Sequence, residues 1–368
     1  MENTIHRLNS LTEGNWFKLI CGASYQHLPT VRSLALIYTL AGVDCIDVAA
    51  ESAVITAVQE GIQAAQNFQN FALRPNPGGN HPPLLMMSIN DGEDPHFRKA
   101  EFDATQCPVE CPRPCEMICG ADAIAFSEIA NEFSGVSDRL CYGCGRCLPV
   151  CPEKLITTRS YVSTPQAVIS LIDEMGIDAI EIHTQVGHYS DFKRLWQKIA
   201  PEVDKLQILA ISCSYHQEVI PYLQSLFELI NPLPCPLIWQ TDGRPMSGDI
   251  GMGTTHLAIR FARKAIAANL PGYIQLAGGT NDYTVTKLQG EKMLKYQAKN
   301  TSSCNRWVSG VAYGSYARSL VSPILEKLEM INYSDNHSAK QLENYPDLLQ
   351  DSVAIAHNLV SQIKYSSL

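Results

Sequence analysis

Residues 165–212 read PQAVISLIDEMGIDAIEIHTQVGHYSDFKRLWQKIAPEVDKLQILAIS, and this stretch carries the period of most of the chain. Pro165 suits a first helical position with Thr164 as cap, and it opens an apolar pattern through Val168, Leu171 and Ile172 that Gly176 stops. Ala179–His183 follows as a short strand candidate, and most such candidates in the chain are continuous apolar runs without inside/outside alternation. Ser190 or Asp191 can then cap a helical segment, Phe192–Ile199, which Pro201 ends before the next short apolar run, Gln207–Ser212. Continuous apolar strands separated by helix-length segments read as a parallel sheet covered on both faces, because each crossover lays a helix against it.

The same unit recurs on either side. Further strands are expected at Phe17–Gly22, Cys45–Ala49, Leu84–Ile89, Leu237–Thr241, Tyr273–Ala277 and Val308–Ala312, which makes eight, and Thr254 or Thr255 can cap a helix to about Ala268. Eight such alternations predict an α/β chain with a (β/α)8 TIM-like barrel; a doubly wound open sheet is the alternative. One connection is anomalous: between the third and fourth strands the chain runs about three times the length of an ordinary βα connection. The expected division is therefore a first barrel part at 1–90, an insertion at 91–162, a second barrel part at 163–330 and a C-terminal helical extension at 331–368. Loops that follow barrel strands build the functional face, so the insertion should lie over the barrel mouth. Past a polar stretch, Asn332–Lys340, the residues Leu349, Val353, Ala356, Val360 and Ile363 recur at helical spacing and predict a helix packed on the barrel.

Composition removes several classes. Hydrophobic residues make up 45% and charged residues 18% of the 368 residues, with mean hydropathy −0.07, which excludes a disordered or low-complexity chain. No run approaches the ~18 apolar residues of a membrane span. The polar start, with Glu2 and Glu13, resembles no targeting signal, so a cytoplasmic protein is expected. A formal charge of −9 and no run of five basic residues leave no nucleic-acid footprint.

Of 13 cysteines, eight lie between Cys107 and Cys151, inside the insertion, and in a cytosolic chain such a cluster reads as metal binding rather than disulfides. Cys141, Cys144, Cys147 and Cys151-Pro152 form C-x2-C-x2-C-x3-C-P, the bacterial ferredoxin run. Two-residue gaps let three thiolates wrap one cubane, and Gly143 and Gly145 permit close backbone approach. Cys107, Cys111, Cys115 and Cys119 are separated by three residues each and depart from that run, with Gly120 where a proline is expected. On ferredoxin topology, one [4Fe-4S] cluster takes Cys107, Cys111, Cys115 and the remote Cys151, and a second takes Cys141, Cys144, Cys147 and the remote Cys119. Two structural zinc sites would also use eight cysteines, but zinc ribbons use paired C-x2-C knuckles across a long span. A radical-SAM site would want C-x3-C-x2-C, which Cys107 and Cys111 do not continue. Eight thiolates and two oxidised cubanes add about −4 to the protein, which Arg113 and Arg146, set among the ligands, would offset. Cys45 reads as core, while Cys21 and Cys213, at strand ends, are expected to face the mouth.

At the mouth, the loops after strands seven and eight carry Gly278, Gly279 and Thr280, and Gly314 and Ser315. Exposed backbone N–H groups there would suit a phosphate, so flavin mononucleotide (FMN) or another phosphorylated ligand is the expected occupant. After strand six, Asp242 and Arg244 either pair with each other or hold a ligand. His183, at the end of strand four, reads as a hydrogen-bonded structural residue.

The two cysteine groups, the segment Thr241-Asp242-Gly243-Arg244-Pro245-Met246-Ser247-Gly248-Asp249-Ile250-Gly251 and the segment Leu276-Ala277-Gly278-Gly279-Thr280-Asn281 together resemble the light-dependent period proteins of cyanobacteria, over about Trp16 to Leu328. The resemblance implies an iron–sulfur redox sensor that feeds light-dependent cellular redox state into the circadian clock, modulates its period and associates with clock proteins. It supplies no catalytic residue. A small redox effector or electron donor would then be a further partner. The enzymatic alternative is an iron–sulfur oxidoreductase with a flavin or quinone in the barrel.

Overall fold

The computed structural model describes residues 8–21, 27–68, 81–92, 98–119, 122–126, 134–138, 140–141, 145–160, 165–243, 255–298, 306–334 and 340–365. Its centre is a closed barrel of eight strands. They are β1 (Trp16–Ile20), β2 (Cys45–Ala49), β3 (Leu84–Asn90), β4 (Ala179–Thr184), β5 (Ile208–Ser214), β6 (Leu237–Asp242), β7 (Tyr273–Ala277) and β8 (Val308–Tyr313). Each strand pairs in parallel with its sequence neighbour in this set, and β8 closes on β1 with Trp16 opposite Gly310. A side chain at Gly310 would strike the Trp16 backbone and ring, so glycine permits this closure.

All eight expected strands are present, and the open-sheet alternative is excluded by the β8–β1 pairing. Helices follow the strands: Leu28–Ala41, Ser52–Gln66, Pro165–Glu174, Tyr189–Ile199, Val219–Ile230, Thr255–Ala267, Thr284–Gly290 and Ser315–Ser334. One cap differs from expectation. The helix after β4 starts at Tyr189 with His188 as N-cap, because His188 O already accepts from Phe192 N at 2.9 Å. Asp191 then falls in the first turn, where its charge favours the helix dipole, and pairs with Arg194 at 2.8 Å. Gly22, Thr164 and Thr254, the other expected ends and caps, lie outside the described residues.

Period-two alternation divides the strand residues into two packings. Outward residues such as Phe17, Leu19, Ile46, Val48, Ile180, Ile182, Leu209 and Ile211 join the helices in one large core. Inward residues of the lower barrel, Trp16, Cys45, Leu84, Met86, Ala179, Ile208, Ala210 and Ile238, form a second, smaller one. The alternation also corrects one expectation: Cys21 and Cys213 are outward and packed between strands and helices, not facing the mouth.

Between β3 and the helix Pro165–Glu174, a ribbon pairs Arg98–Glu101 antiparallel with Thr157–Ser160 and brings the two ends of the cysteine-bearing segment together. The C-terminal helix, Pro346–Lys364, buries Leu349, Val353, Ala356, Val360 and Ile363 against the helix Leu28–Ala41, the helix Ser315–Ser334 and β1. It ends on a buried ion pair between Lys364 and Asp44. Asp44 also accepts from Ser10 Oγ and from Phe17 N, each at 2.7 Å, so one carboxylate ties the chain's last helix to the foot of β1. Asp44→Ala leaves the Lys364 ammonium buried without a counter-charge and should lower unfolding free energy by about 3–5 kcal/mol in urea titration; a loss under about 1 kcal/mol would show the latch to be dispensable.

Candidate functional site

The cysteine segment has its own small core of Ala100, Cys115, Ala123, Ile124, Cys141, Cys147 and Ile156, with Cys119 and Cys151 packed partly buried against it. Local backbone bonds set the thiols. Cys107 closes a 3-10 turn capped by Asp103, and Cys111 N donates to Pro108 O at 3.1 Å. Arg113, with φ of 52°, turns the chain into the short helix Pro114–Met117 that carries Cys115. Its guanidinium lies over the Phe126 ring, 4.4 Å from the centroid. Ala123 N donates to Cys119 Sγ at 3.2 Å, and Cys141 N donates to Ser137 O at 2.8 Å. Gly145, at φ 72°, precedes the turn bearing Cys147 and Cys151.

The thiols of the two groups influence one another electrostatically. Burial pushes the Cys107 thiol up, and the neighbouring Cys111 and Cys115 push it further. Burial likewise raises Cys115, with Cys151 and Cys111 adding to it. Cys151, from the second group, thus lies near enough to the first group for its charge to act on Cys115. Cys119, Cys141 and Cys147 share the same small core; Cys144 lies outside the described residues. The donor set is sulfur, which suits iron–sulfur or zinc centres. Among the described residues no three cysteine, histidine, aspartate or glutamate side chains converge to hold a single metal ion.

A buried lysine ties this segment to the barrel. Lys99, 2% exposed, reaches Glu51 Oε1 at 3.0 Å and donates to the Asp138 carbonyl. Glu51 follows β2 and is the N-cap residue of the helix Ser52–Gln66, while Asp138 leads into Cys141. The cysteine segment is thus fastened where the strands end.

Inside the upper barrel lies a polar cluster whose members, apart from Asp242 and His183, sequence reasoning did not single out. Lys18 on β1 is fully buried, 3.1 Å from Asp47 Oδ2 on β2 and in contact with Glu181 Oε2 on β4. Ser88 on β3 donates to Asp47 Oδ1 at 2.5 Å. Gln240 on β6 donates to Glu181 Oε1 at 2.8 Å, and Gln275 on β7 donates to Gln240 Oε1 at 2.6 Å. Ser212 on β5 donates to Asp242 on β6. His183 Nε2 lies 3.3 Å from Glu181 Oε1, as the structural reading of that histidine expects. The overlooked signal was a polar or charged residue in the middle of an apolar strand run: Lys18 in WFKLI, Asp47 in CIDVA, Glu181 in AIEIHT, Gln275 in YIQLA.

The other expected mouth residues are distributed as follows. Gly278 and Gly279 have φ of 66° and 95°, and Thr280 Oγ1 donates to Ala312 O at 2.6 Å, so the loop after β7 sits beside the end of β8. Gly314 and Ser315 open the helix Ser315–Ser334, with Arg318 N donating to Gly314 O at 3.1 Å. Asp242 is turned into the barrel and bonded to Ser212 and Gln240; Arg244 lies outside the described residues. Burial pushes the Cys21 thiol up to about 12 and raises that of Cys213 too, so both stay protonated near neutral pH.

Burial first, then the Glu181 charge, pushes the Asp242 carboxyl from 3.8 up to about 8. Across that window the native state holds a proton that the unfolded chain has released, so this group makes stability fall as pH rises from about 4 to about 8. Asp242→Asn should flatten the slope in urea titrations over the same range; an unchanged slope would assign it to other groups.

The LdpA Fe-S cluster-binding domain matches residues 107–162, and the light dependent period A C-terminal domain matches residues 171–362. A relative described as light dependent period A, from Synechococcus elongatus, is 48% identical over 357 residues, covering 97% of this chain and 93% of the relative. Among solved structures, a putative fructose-1,6-biphosphate aldolase from Coccidioides immitis aligns over 98% of this chain and 94% of its own, with 9% identity and a TM-score of 0.44. Pyruvate kinase from Cryptosporidium parvum aligns over 98% and 73%, with 9% identity and a TM-score of 0.37. With two domain matches across more than half its length and a relative that spans nearly all of it, this chain belongs to the light dependent period A family.

Proposed function

We propose that this protein is a redox sensor carrying two [4Fe-4S] clusters, which conveys light-dependent cellular redox state to circadian clock proteins and thereby modulates the clock's period. The observation that carries the reading is the set of eight cysteines, in a ferredoxin-type run and a widened partner group, on the segment that follows β3. The matched Fe-S cluster-binding domain and the relative's name support it. When bound, such clusters exchange single electrons near the barrel mouth. The chain's own residues set the conditions for that exchange. Cys107, Cys111, Cys115 and Cys151 would hold one cluster; the proximity of Cys115 to Cys151 supports this crossing of the two groups. Cys119, Cys141, Cys144 and Cys147 would hold the other. The N–H of Ala123 on Cys119 Sγ withdraws charge from that sulfur and favours the reduced state. Arg113, parked on Phe126, keeps a positive charge among the first group.

Protein purified without oxygen should contain about eight iron and about eight sulfide per chain, with visible absorption that dithionite bleaches. Stoichiometric zinc without sulfide would overturn the reading. Cys151→Ser should alter the paramagnetic resonance signal of the cluster on Cys107, Cys111 and Cys115 and spare the other; a change in the other would show that ligation stays within each group. In cells, removing the clusters should change how the clock period responds to light intensity while the oscillation continues. An unaltered response would count against a sensor.

A further inference from the structure

The upper barrel holds more acceptors than donors. Lys18 serves Asp47 Oδ2 and Glu181 Oε2, Ser88 serves Asp47 Oδ1, and Ser212 serves Asp242 Oδ2. The Gln240 amide nitrogen has two hydrogens and three acceptors in reach: Glu181 Oε1 at 2.8 Å, Ser212 Oγ at 3.2 Å and Asp242 Oδ1 at 3.3 Å. Asp242 Oδ1, the farthest, is the worst served. Gln275 places one amide hydrogen on Gln240 Oε1, and its own Oε1, on a side chain with 0% exposure, has no donor among the described residues. These two acceptors flank Gln240, which stands in register with Gln275.

Charge points the same way. Asp47, Glu181 and Asp242 are each at most 4% exposed, and Lys18 is the one lysine or arginine bonded to any of them among the described residues. Among the described residues, the charges of Glu181 and Lys18 act on Asp242, Cys213 beside it is a thiol that burial keeps protonated, and His183 stands 3.3 Å from Glu181. A phosphate here would meet three carboxylates. A metal dication would meet the Lys18 ammonium, and no three ligating side chains converge on one point among the described residues.

We propose that the upper half of the barrel interior binds a small molecule through a cationic nitrogen, a protonated amine or a guanidinium, received by the Asp242 carboxylate and Gln275 Oε1. Without ligand, the proton on Asp242 supplies the missing positive charge; the arriving cationic nitrogen displaces that proton to solvent, so the charge beside Asp242 is conserved, and the far nitrogen of a diamine stays outside this exchange. This site is independent of the clusters and of the glycines at 278 and 279.

Calorimetry on the intact, cluster-bearing protein tests it, with putrescine and agmatine as cationic probes and acetate and inorganic phosphate as anionic controls. At about pH 7, in two buffers of different ionisation heat, a cation should bind with release of about one proton, fading above about pH 9, and the anions should not bind. Asp242→Asn keeps the side chain's shape and mimics the protonated acid. It should abolish proton release and weaken binding at least about tenfold, with iron content unchanged. A second readout needs no variant: the infrared carbonyl band of a buried carboxylic acid should disappear on adding agmatine. Binding of neither cation, phosphate binding in their place, undiminished binding by Asp242→Asn, or a carbonyl band that persists with agmatine bound would each overturn the proposal.

Discussion

A lysine ammonium sealed from water inside a barrel is tolerable only between opposite charges, and Lys18 sets that condition for everything above it. Burial alone would pull its pKa down, but Asp47 and Glu181 more than offset that and hold it charged and above its ordinary value. Both carboxylates are buried in turn, and each needs further donors. Ser88 supplies one to Asp47 and Gln240 one to Glu181. Gln240 then needs an acidic or hydroxyl partner for its second hydrogen, which brings in Ser212 and Asp242. One buried cation on β1 thus accounts for polar residues on β2, β3, β4, β5 and β6.

The cysteine segment meets this barrel at the same edge. Asp47 lies inside β2, and Glu51 lies just past its end, where Lys99 binds it. Burial raises the Glu51 carboxyl and Lys99 draws it back, so the contact is an ion pair that shields both groups. Through the Asp138 carbonyl the same ammonium holds the turn that leads to Cys141. The segment's attachment is therefore specified by charge and hydrogen bonds, which fix orientation better than an apolar patch of the same size.

Most of the fold was legible because most barrel strands are largely apolar runs and the crossover helices carry stop or start signals. Gly176 and Pro201 are such stops, and the eight strands fall within two residues of where those signals put them. The long connection between β3 and β4 was legible from length alone. The side of each strand residue was not, because outward positions face helices and read as apolar as the lower inward ones. For that reason Cys21 and Cys213 were expected at the mouth and are instead packed among helices. The polar cluster was missed for a related reason. Lys18, Glu181 and Gln275 are single polar residues in separate strands, far apart in sequence, and only closure of the barrel brings them together.

The alternation that hid the cluster also makes it affordable. In this barrel the large apolar core lies between strands and helices, where Phe17, Leu36, Trp239, Phe261 and Tyr313 are among its fully buried side chains. The inner apolar core is small and confined to the lower end, where Trp16 fills the space beside Gly310. Burial of the outer layer is insensitive to what fills the centre, since a residue's inward neighbour on the strand points the other way. The upper centre is thereby released from packing duty. A barrel that needed its interior for stability would fill it with branched apolar side chains in layers; here the top of the interior carries carboxylates, hydroxyls and amides instead.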